Sequence, residues 1–518
     1  VTTTTDAVAL DYARRMFERQ RVPLPPLGFR VDWADQPSRH KLYLDTVKVA
    51  LPEPFAPPGP DLDLALLASV LACYGLADRR VTPNWNEDSS RKVRAHQAVW
   101  SRPTASGGGM YPVESYVVAG AGAPLPPGVY HYDTAHHALD RLSVADRTAA
   151  LGGATGTATG LYLVAAVRFW KNAFKYNSFC YHVVTQDTGA LLGSWRSVLA
   201  AAGVDVRPVL WFDDAAVAAA LDLDGHTEAP FAVVPLGPAG EVAVDVAPAA
   251  PVQRHPVWER SERARTFDLV ERVHAAALVG DEPRPDAVVA LEPVTGDVVE
   301  LPAPQARPGD LDLTTSLLRR RSSFGEFAAH PALTTADLGR VLAAVDDAAL
   351  TGTDVAPSPR PAWIRQWVLA NAVDGLEPRA YAYERHRLVA GAPLDVGALQ
   401  RYYALTNYNL REVAAVLVFT GRLPALVDAY GARGYRMLSI EVGQAAQAAY
   451  LAATARGLGV GAVLGIDNLA ADELLGIEET DERSMLFVLL GHERAGRPGY
   501  DHALRRPPRA PHQEGTPR

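Results

Sequence analysis

The strongest constraint on the fold is that the chain spells one pattern twice. Lys175–Gly189 (KYNSFCYHVVTQDTG) and Ala429–Gly443 (AYGARGYRMLSIEVG) align at an offset of 254 residues. Tyr176 falls on Tyr430, Tyr181 on Tyr435, Asp187 on Glu441 and Gly189 on Gly443. The register continues without a gap through Gly203/Gly457, Asp213/Asp467 and Leu221/Leu475 to Gly237/Gly491, and Arg168/Arg422 obey it. Upstream, Gly128–Leu139 lies over Arg379–Ala390 at an offset of 251. A register held over this length specifies one supersecondary unit made twice. Each unit reads as a strand (Ser115–Ala119 or Gln366–Ala370), a turn and a second short strand. A helix follows over Val184–Ala202 or Leu438–Gly457, with small and apolar residues at helical spacing. It stops at Gly203 or Gly457, as a left-handed C-terminal residue requires. A strand (Val206–Phe212 or Val460–Ile466) and a last apolar run (Phe231–Leu236 or Met485–Leu490) close the unit. The expectation is an α+β fold, two fused domains forming a pseudo-dimer within one chain.

Proline-rich stretches punctuate the 518 residues: VPLPPL at Val22–Leu27, PEPFAPPGP at Pro52–Pro60 and PAPQARP at Pro302–Pro308. We expect a first copy over 1–250, a linker over 251–308, a second copy over 309–500 and a disordered tail over 501–518. Within the linker, Arg254–Ala277 reads as an amphipathic helix, with Val257, Trp258, Phe267, Leu269 and Val270 apolar. It would pack across the pseudo-dimer rather than dock a partner. At 48% hydrophobic and 21% charged residues the chain can fill two cores. A net charge of −9 argues against a nucleic-acid footprint. Two cysteines, Cys73 and Cys180, exclude a disulfide framework and a structural zinc site, and a reducing cytoplasm is the simplest location. No membrane span is expected. The best candidate, Ala445–Gly465, is interrupted by Gln447 and Arg456 and reads as a packed helix running into a strand.

Three segments carry candidate chemistry. In SRPTASGGGMYPVE (Ser101–Glu114), Gly107, Gly108 and Gly109 remove every β-carbon from a short loop. Backbone N–H groups can then approach an anion or a planar ring. Ser106 and Thr104 add hydroxyls and Arg102 a positive charge; the alternative is a plain surface loop. LLRRRSSFGEF (Leu317–Phe327) offers a phosphate grip, since guanidinium forks fit phosphate oxygens, or else a solvated basic helix face. Lys175–Tyr176, flanked by aromatics, can hold a lysine whose pKa desolvation lowers for proton transfer, or form an ordinary amphipathic edge. GLGVG (Gly457–Gly461) is no dinucleotide loop, because it follows a helix and opens a strand, the reverse of that motif. His131, His136 and His137 lack a carboxylate at metal-ligand spacing and read as solvent-exposed.

Together these residues resemble the nitroreductase-like flavin superfamily, and more narrowly the SagB-type azoline dehydrogenases of azole-peptide biosynthesis. RPTASGGGMYPVE is similar to that branch's Arg-x-x-Pro-Ser-x-Gly loop. RRSSFGEF resembles the family's Arg-x-Ser motif through Arg321 and Ser323. KYNSFCYHVVTQDTG resembles the branch's Lys-Tyr segment, which places Lys175 and Tyr176 on the catalytic positions. EVGQAAQAAYLAATARGLGV is similar to the long core helix. The resemblance implies FMN held by two subunits, here by two copies. The first would supply Arg102, Ser106, Gly107, Gly108, Gly109 and the Lys-Tyr pair. The second would supply Arg321 and Ser323 with Arg433 and Arg436. Copy two has no glycine run over Thr353–Arg365 and has Ala429 at the lysine position, and copy one lacks the Arg-x-Ser segment. One composite FMN site per chain is therefore expected. The implied activity is oxidation of thiazoline or oxazoline rings in a ribosomal precursor peptide to azoles, with oxygen as final acceptor. The implied partners are that azoline-containing precursor peptide and a cyclodehydratase or leader-peptide recognition protein. The rival expectations are another flavin oxidoreductase on the same fold (a nitroreductase or peptide desaturase) and a flavin-free scaffold.

Overall fold

A computed structural model describes residues 4–55, 62–81, 99–238, 240, 255–287, 289–323, 326–350, 352–355, 363–405, 407–495 and 500–505. The doubled sequence folds into doubled sheets. In the first copy six antiparallel strands lie in the order Val47–Ala50, Ala138–Ser143, Gly128–Asp133, Val113–Ala119, Leu161–Arg168, Glu228–Leu236. In the second, the order is Val298–Glu300, Arg387–Pro393, Arg379–Glu384, Ile364–Ala370, Ala415–Gly421, Arg483–Glu493, Phe327–Ala328, and Gly459–Val463 also pairs with Arg483–Glu493. Val113–Ala119 is buried at every position, as is Ile364–Ala370. Both strands are covered on both faces, and the charged residues they bury are paired: Glu114 with Lys171 and His131, Arg365 with Glu482.

Two long helices join the copies, Cys180–Ala201 and Arg433–Ala455. Each is followed by a glycine of positive φ, Gly203 (+75°) and Gly457 (+69°), as the sequence requires. The paired aspartates cap the next helices: Asp213 accepts from the Ala216 N–H at 2.9 Å and Asp467 from the Leu469 N–H at 3.0 Å. Gly189 and Gly443, also paired by the offset, mark the crossing of the long helices. A β-carbon on Gly189 would collide with the Ile440 carbonyl, and one on Gly443 with the Gln186 carbonyl. Only glycine permits backbones to meet this closely.

Four expectations need correction. Val206–Phe212 is not a strand: it retains one bridge, Val209 to Val233, where copy two has Val463 paired with Phe487 at the same offset. Pro208 cannot donate to a ladder, and Leu210 N–H donates instead to Asp354 of the second copy at 2.7 Å. The linker helix covers only Asp268–Ala276; Val257–Trp258 is a strand paired with Leu42–Tyr43, and residue 254 lies outside the described residues. Tyr500–Ala503 is not a disordered start of a tail but a strand on Asp78–Val81, which in turn pairs with Val99–Ser101. This arm carries the end of the second copy onto the first, and 506–518 lie outside the described residues. His131 is buried, between Glu114 (3.1 Å) and Asp140 (3.5 Å), not exposed. Among the described residues no helix is long and apolar enough to cross a membrane.

Candidate active site

The glycine loop leaves the strand Val99–Ser101 and is fixed from its first residue. Arg102 is buried, its guanidinium 4.9 Å from the Tyr74 ring and 4.4 Å from the Tyr111 ring, and donates to the Tyr74 carbonyl at 3.0 Å. Thr104 donates to the Cys73 carbonyl at 2.8 Å. Both residues build the loop's base, so their polar groups are turned inward. At the tip, Ser106 Oγ donates to Asp187 Oδ2 and the Gly107 N–H to Asp187 Oδ1, each at 2.7 Å. Asp187 lies within the first long helix, and burial pushes its carboxyl up to about 7, with the two bonds opposing the shift. Gly108 (φ +63°) and Gly109 (φ +67°) are left-handed, where only glycine is unstrained.

The Lys-Tyr pair closes against this tip. Lys175 and Tyr176 end the short helix Phe169–Tyr176. Lys175 Nζ donates to the Gly108 carbonyl at 3.3 Å and sits 5.1 Å from the Tyr176 ring. A β-carbon at Gly108 would collide with the Tyr176 hydroxyl and come within 2.6 Å of Lys175 Nζ. The loop and the pair, 67 residues apart, thus form one surface. Burial holds the Lys175 ammonium below its ordinary range. Burial, and then the nearby Asp187, push the Tyr176 phenol up. Burial thus disfavours the charged form of both groups, the ammonium of Lys175 and the phenolate of Tyr176.

The second copy reaches the same loop through Arg320, which lies in the arginine run Leu317–Phe327, and through Gln447, which sequence reasoning missed as a site residue. Arg320 Nε donates to the Pro103 carbonyl at 2.8 Å and Nη2 to the Arg102 carbonyl at 3.0 Å. Gln447 accepts from the Ala105 N–H at 3.1 Å and donates to Pro103 at 3.3 Å. The expected neighbours are less directly placed. Arg321 is tied to Glu493 and to Glu326 (3.4 Å). Ser323 is buried and bonds Val460 N–H at 2.9 Å, so it braces its own copy. Buried Arg80 stands close enough to Arg320 and Arg321 that, after burial itself and against the pull of Asp78, they help lower its pKa. Their charge is answered in part by Asp78 beside Arg80 (3.8 Å) and by Glu326 and Glu493 on Arg321. The sequence signal for Arg80, the plain run DRRV, points nowhere by itself.

Arg433 and Arg436 are not at the loop. Both are fully buried and grip Asp214 of the first copy, Arg436 at 3.0 Å. Arg433 also donates to the Leu210 carbonyl at 2.9 Å, and Arg436 to the Tyr181 hydroxyl at 3.3 Å. Burial pushes the Asp214 carboxyl up, but the two arginines outweigh it and hold it below the usual carboxylate range. A paired buried charge of this kind is spent on joining the copies, not on a ligand.

The chain is thus α+β, with two sheet domains, long helices crossed at glycines and a loop built between the copies. Residues 317–492 match the nitroreductase family. The nitroreductase-named protein MJ1384 of Methanocaldococcus jannaschii is 31% identical over 188 residues, which are 36% of this chain and 93% of that protein. The chain belongs to the nitroreductase family. The trifolitoxin-processing protein TfxB of Rhizobium leguminosarum bv. trifolii is 30% identical over 135 residues, 24% of this chain and 36% of TfxB. A nitroreductase-named crystal structure from Anabaena variabilis superposes with a TM-score of 0.73 at 25% identity, covering 94% of this chain and 99% of that one. Family members typically bind FMN. The loop fits that group at Gly109, where nothing stands within 4 Å of a β-carbon and the backbone is open beside the contact of Lys175 and Tyr176 with Gly108.

Proposed function

We propose that the chain is an FMN-dependent dehydrogenase that oxidises thiazoline or oxazoline rings in a precursor peptide to thiazoles or oxazoles. The observation that carries the reading is the contact of Lys175 and Tyr176 with the glycine tip at Gly108. Aromatising an azoline removes a proton from one ring carbon and a hydride from its neighbour. FMN, when bound, would supply the hydride acceptor, with oxygen as the final acceptor of the electron pair. Lys175 Nζ, its proton affinity reduced by burial, takes the proton. General-base help of this sort contributes ~10²–10⁴-fold. Tyr176 remains protonated and orients the ring through its O–H. Ser106 and Gly107, held by Asp187, keep the loop backbone in place, Arg320 braces the loop base from the second copy, and Arg321 would grip the phosphate on leaving Glu493 and Glu326.

The peptide substrate is supported by the likeness over 135 residues to a trifolitoxin-processing protein, and an accompanying cyclodehydratase or recognition protein belongs to the same proposal. One site per chain is supported by the second copy. There Ala429 replaces the lysine, and the Tyr430 hydroxyl donates to Ala287 of the linker (2.8 Å) and to Val355 (3.3 Å). The test is Lys175→Ala. We expect FMN to be retained and azole formation from an azoline peptide to fall by at least ~100-fold; full turnover removes Lys175 from catalysis. The likeness to MJ1384 favours plain nitroreduction as the second reading. Turnover of nitroaromatics but not azoline peptides selects it.

A further inference from the structure

A ribbon of two extended segments, 29–43 and 257–267, lies beside the Lys-Tyr helix. Leu42–Tyr43 pairs with Val257–Trp258. Ser38 N–H donates to Glu259 at 2.7 Å, Glu262 N–H to Asp35 at 2.6 Å, and Phe29 meets Phe267 at 5.5 Å. The ribbon is seated on Phe169–Tyr176 at two points. The Trp33 ring is 5.3 Å from Phe174, and Trp170 Nε1 donates to Ser261 Oγ at 2.8 Å.

Its outer composition is unlike the rest of this acidic chain. Arg30, Arg39, Arg260, Arg263 and Arg265 are all exposed, and none makes an ion pair among the described residues. Of the ribbon's four carboxylates, Glu259 is ion-paired to Arg168 and Asp35 is bonded by the Glu262 N–H, while Asp32 and Glu262 stay exposed, so the five guanidinium groups outnumber them. Between the cations Trp33 is 56% and Trp258 47% exposed, with Leu27 76% exposed at the edge. Unpaired guanidinium groups beside exposed tryptophans fit a partner that brings carboxylates and apolar side chains together.

We propose that this ribbon docks an acidic, apolar-rich segment of the peptide substrate, outside the ring being oxidised, and so holds the peptide across the Lys-Tyr helix. The proposal rests on the peptide-modifying reading, but its binding arm does not need the reaction. Fluorescence anisotropy on the full chain would use a labelled synthetic peptide alternating glutamate with leucine and phenylalanine. Its glutamine counterpart and a labelled single-stranded DNA serve as comparisons. We expect the glutamate peptide to bind at least ~10-fold more tightly than the glutamine peptide, to weaken as salt rises, and to lose at least ~10-fold in affinity in Arg260→Glu/Arg263→Glu/Arg265→Glu. Trp33→Ala should weaken both peptides alike. Equal binding of the two peptides, an unaffected triple variant or DNA bound as tightly as the acidic peptide would overturn it. If azoline peptides are substrates, the triple variant should raise KM for those with an acidic flank and leave kcat and FMN content unchanged. If no azoline peptide is turned over, the reaction reading fails while the anisotropy result still decides the ribbon.

Discussion

Asp187 is the residue on which the loop's geometry turns. A buried carboxylate without a cationic partner is normally neutralised, and its carboxyl is pushed to about 7. Between the ordinary value of 3.8 and about 7 the folded chain binds a proton that the unfolded chain has released. Stability from this group therefore falls as pH rises through that window and is constant above it. Asp187→Asn has no such titration. In urea melts, the stability of Asp187→Asn relative to wild type should rise from pH 5 to 7 and level off above; a flat difference would mean that Asp187 is ionised throughout. Arg320 gives a second prediction at this scale. Its two bonds to carbonyls of the loop base are charge-assisted, each worth ~1.5–3 kcal/mol. Arg320→Ala should loosen the loop base and weaken FMN binding about tenfold or more by fluorescence titration. Unchanged affinity would confine Arg320 to packing. The sequence pointed to the tip and to the Lys-Tyr pair because glycine runs and a lysine among aromatics are locally conspicuous. It misplaced Arg433 and Arg436 because an arginine pair opening a helix looks the same whether it meets a phosphate or a buried aspartate. Asp214, their partner, is more than 200 residues away.

At the scale of elements, the long helices test whether the repeat reflects packing. Gly189 and Gly193 lie on the same helix. A β-carbon at Gly189 meets the opposing backbone, whereas one at Gly193 finds its nearest neighbour, Gln447 Cβ, at 3.4 Å. Gly189→Ala should cost ~1–3 kcal/mol or more through overpacking and lower the thermal midpoint by several degrees. Gly193→Ala should be neutral or gain up to ~1 kcal/mol from helix propensity. Equal midpoints for the two variants would contradict the crossing. The offset made this element legible in advance, since the glycines recur in register. The strand Val206–Phe212 was not, because its apolar alternation survives although Pro208 and Asp354 have drawn it out of the ladder. The linker helix was over-extended for a related reason: apolar spacing around Val257 and Trp258 suits a helix, but those residues pair with Leu42–Tyr43.

Across the whole molecule, the copies have divided the work. The first carries the glycine tip, Asp187 and the Lys-Tyr pair, and the second braces the loop with Arg320 and Gln447. The reverse arrangement is closed, with Ala429 in the lysine position and the Tyr430 hydroxyl bonded to the linker. A chain of this kind should not separate into two active halves, because neither copy holds a finished loop. The most direct measurement is the amount and identity of flavin released from the pure, denatured chain. The account predicts one FMN per chain, falling in Arg320→Ala and undisturbed in Lys175→Ala. Two equivalents bound with equal affinity, or none taken up from added FMN, would contradict it.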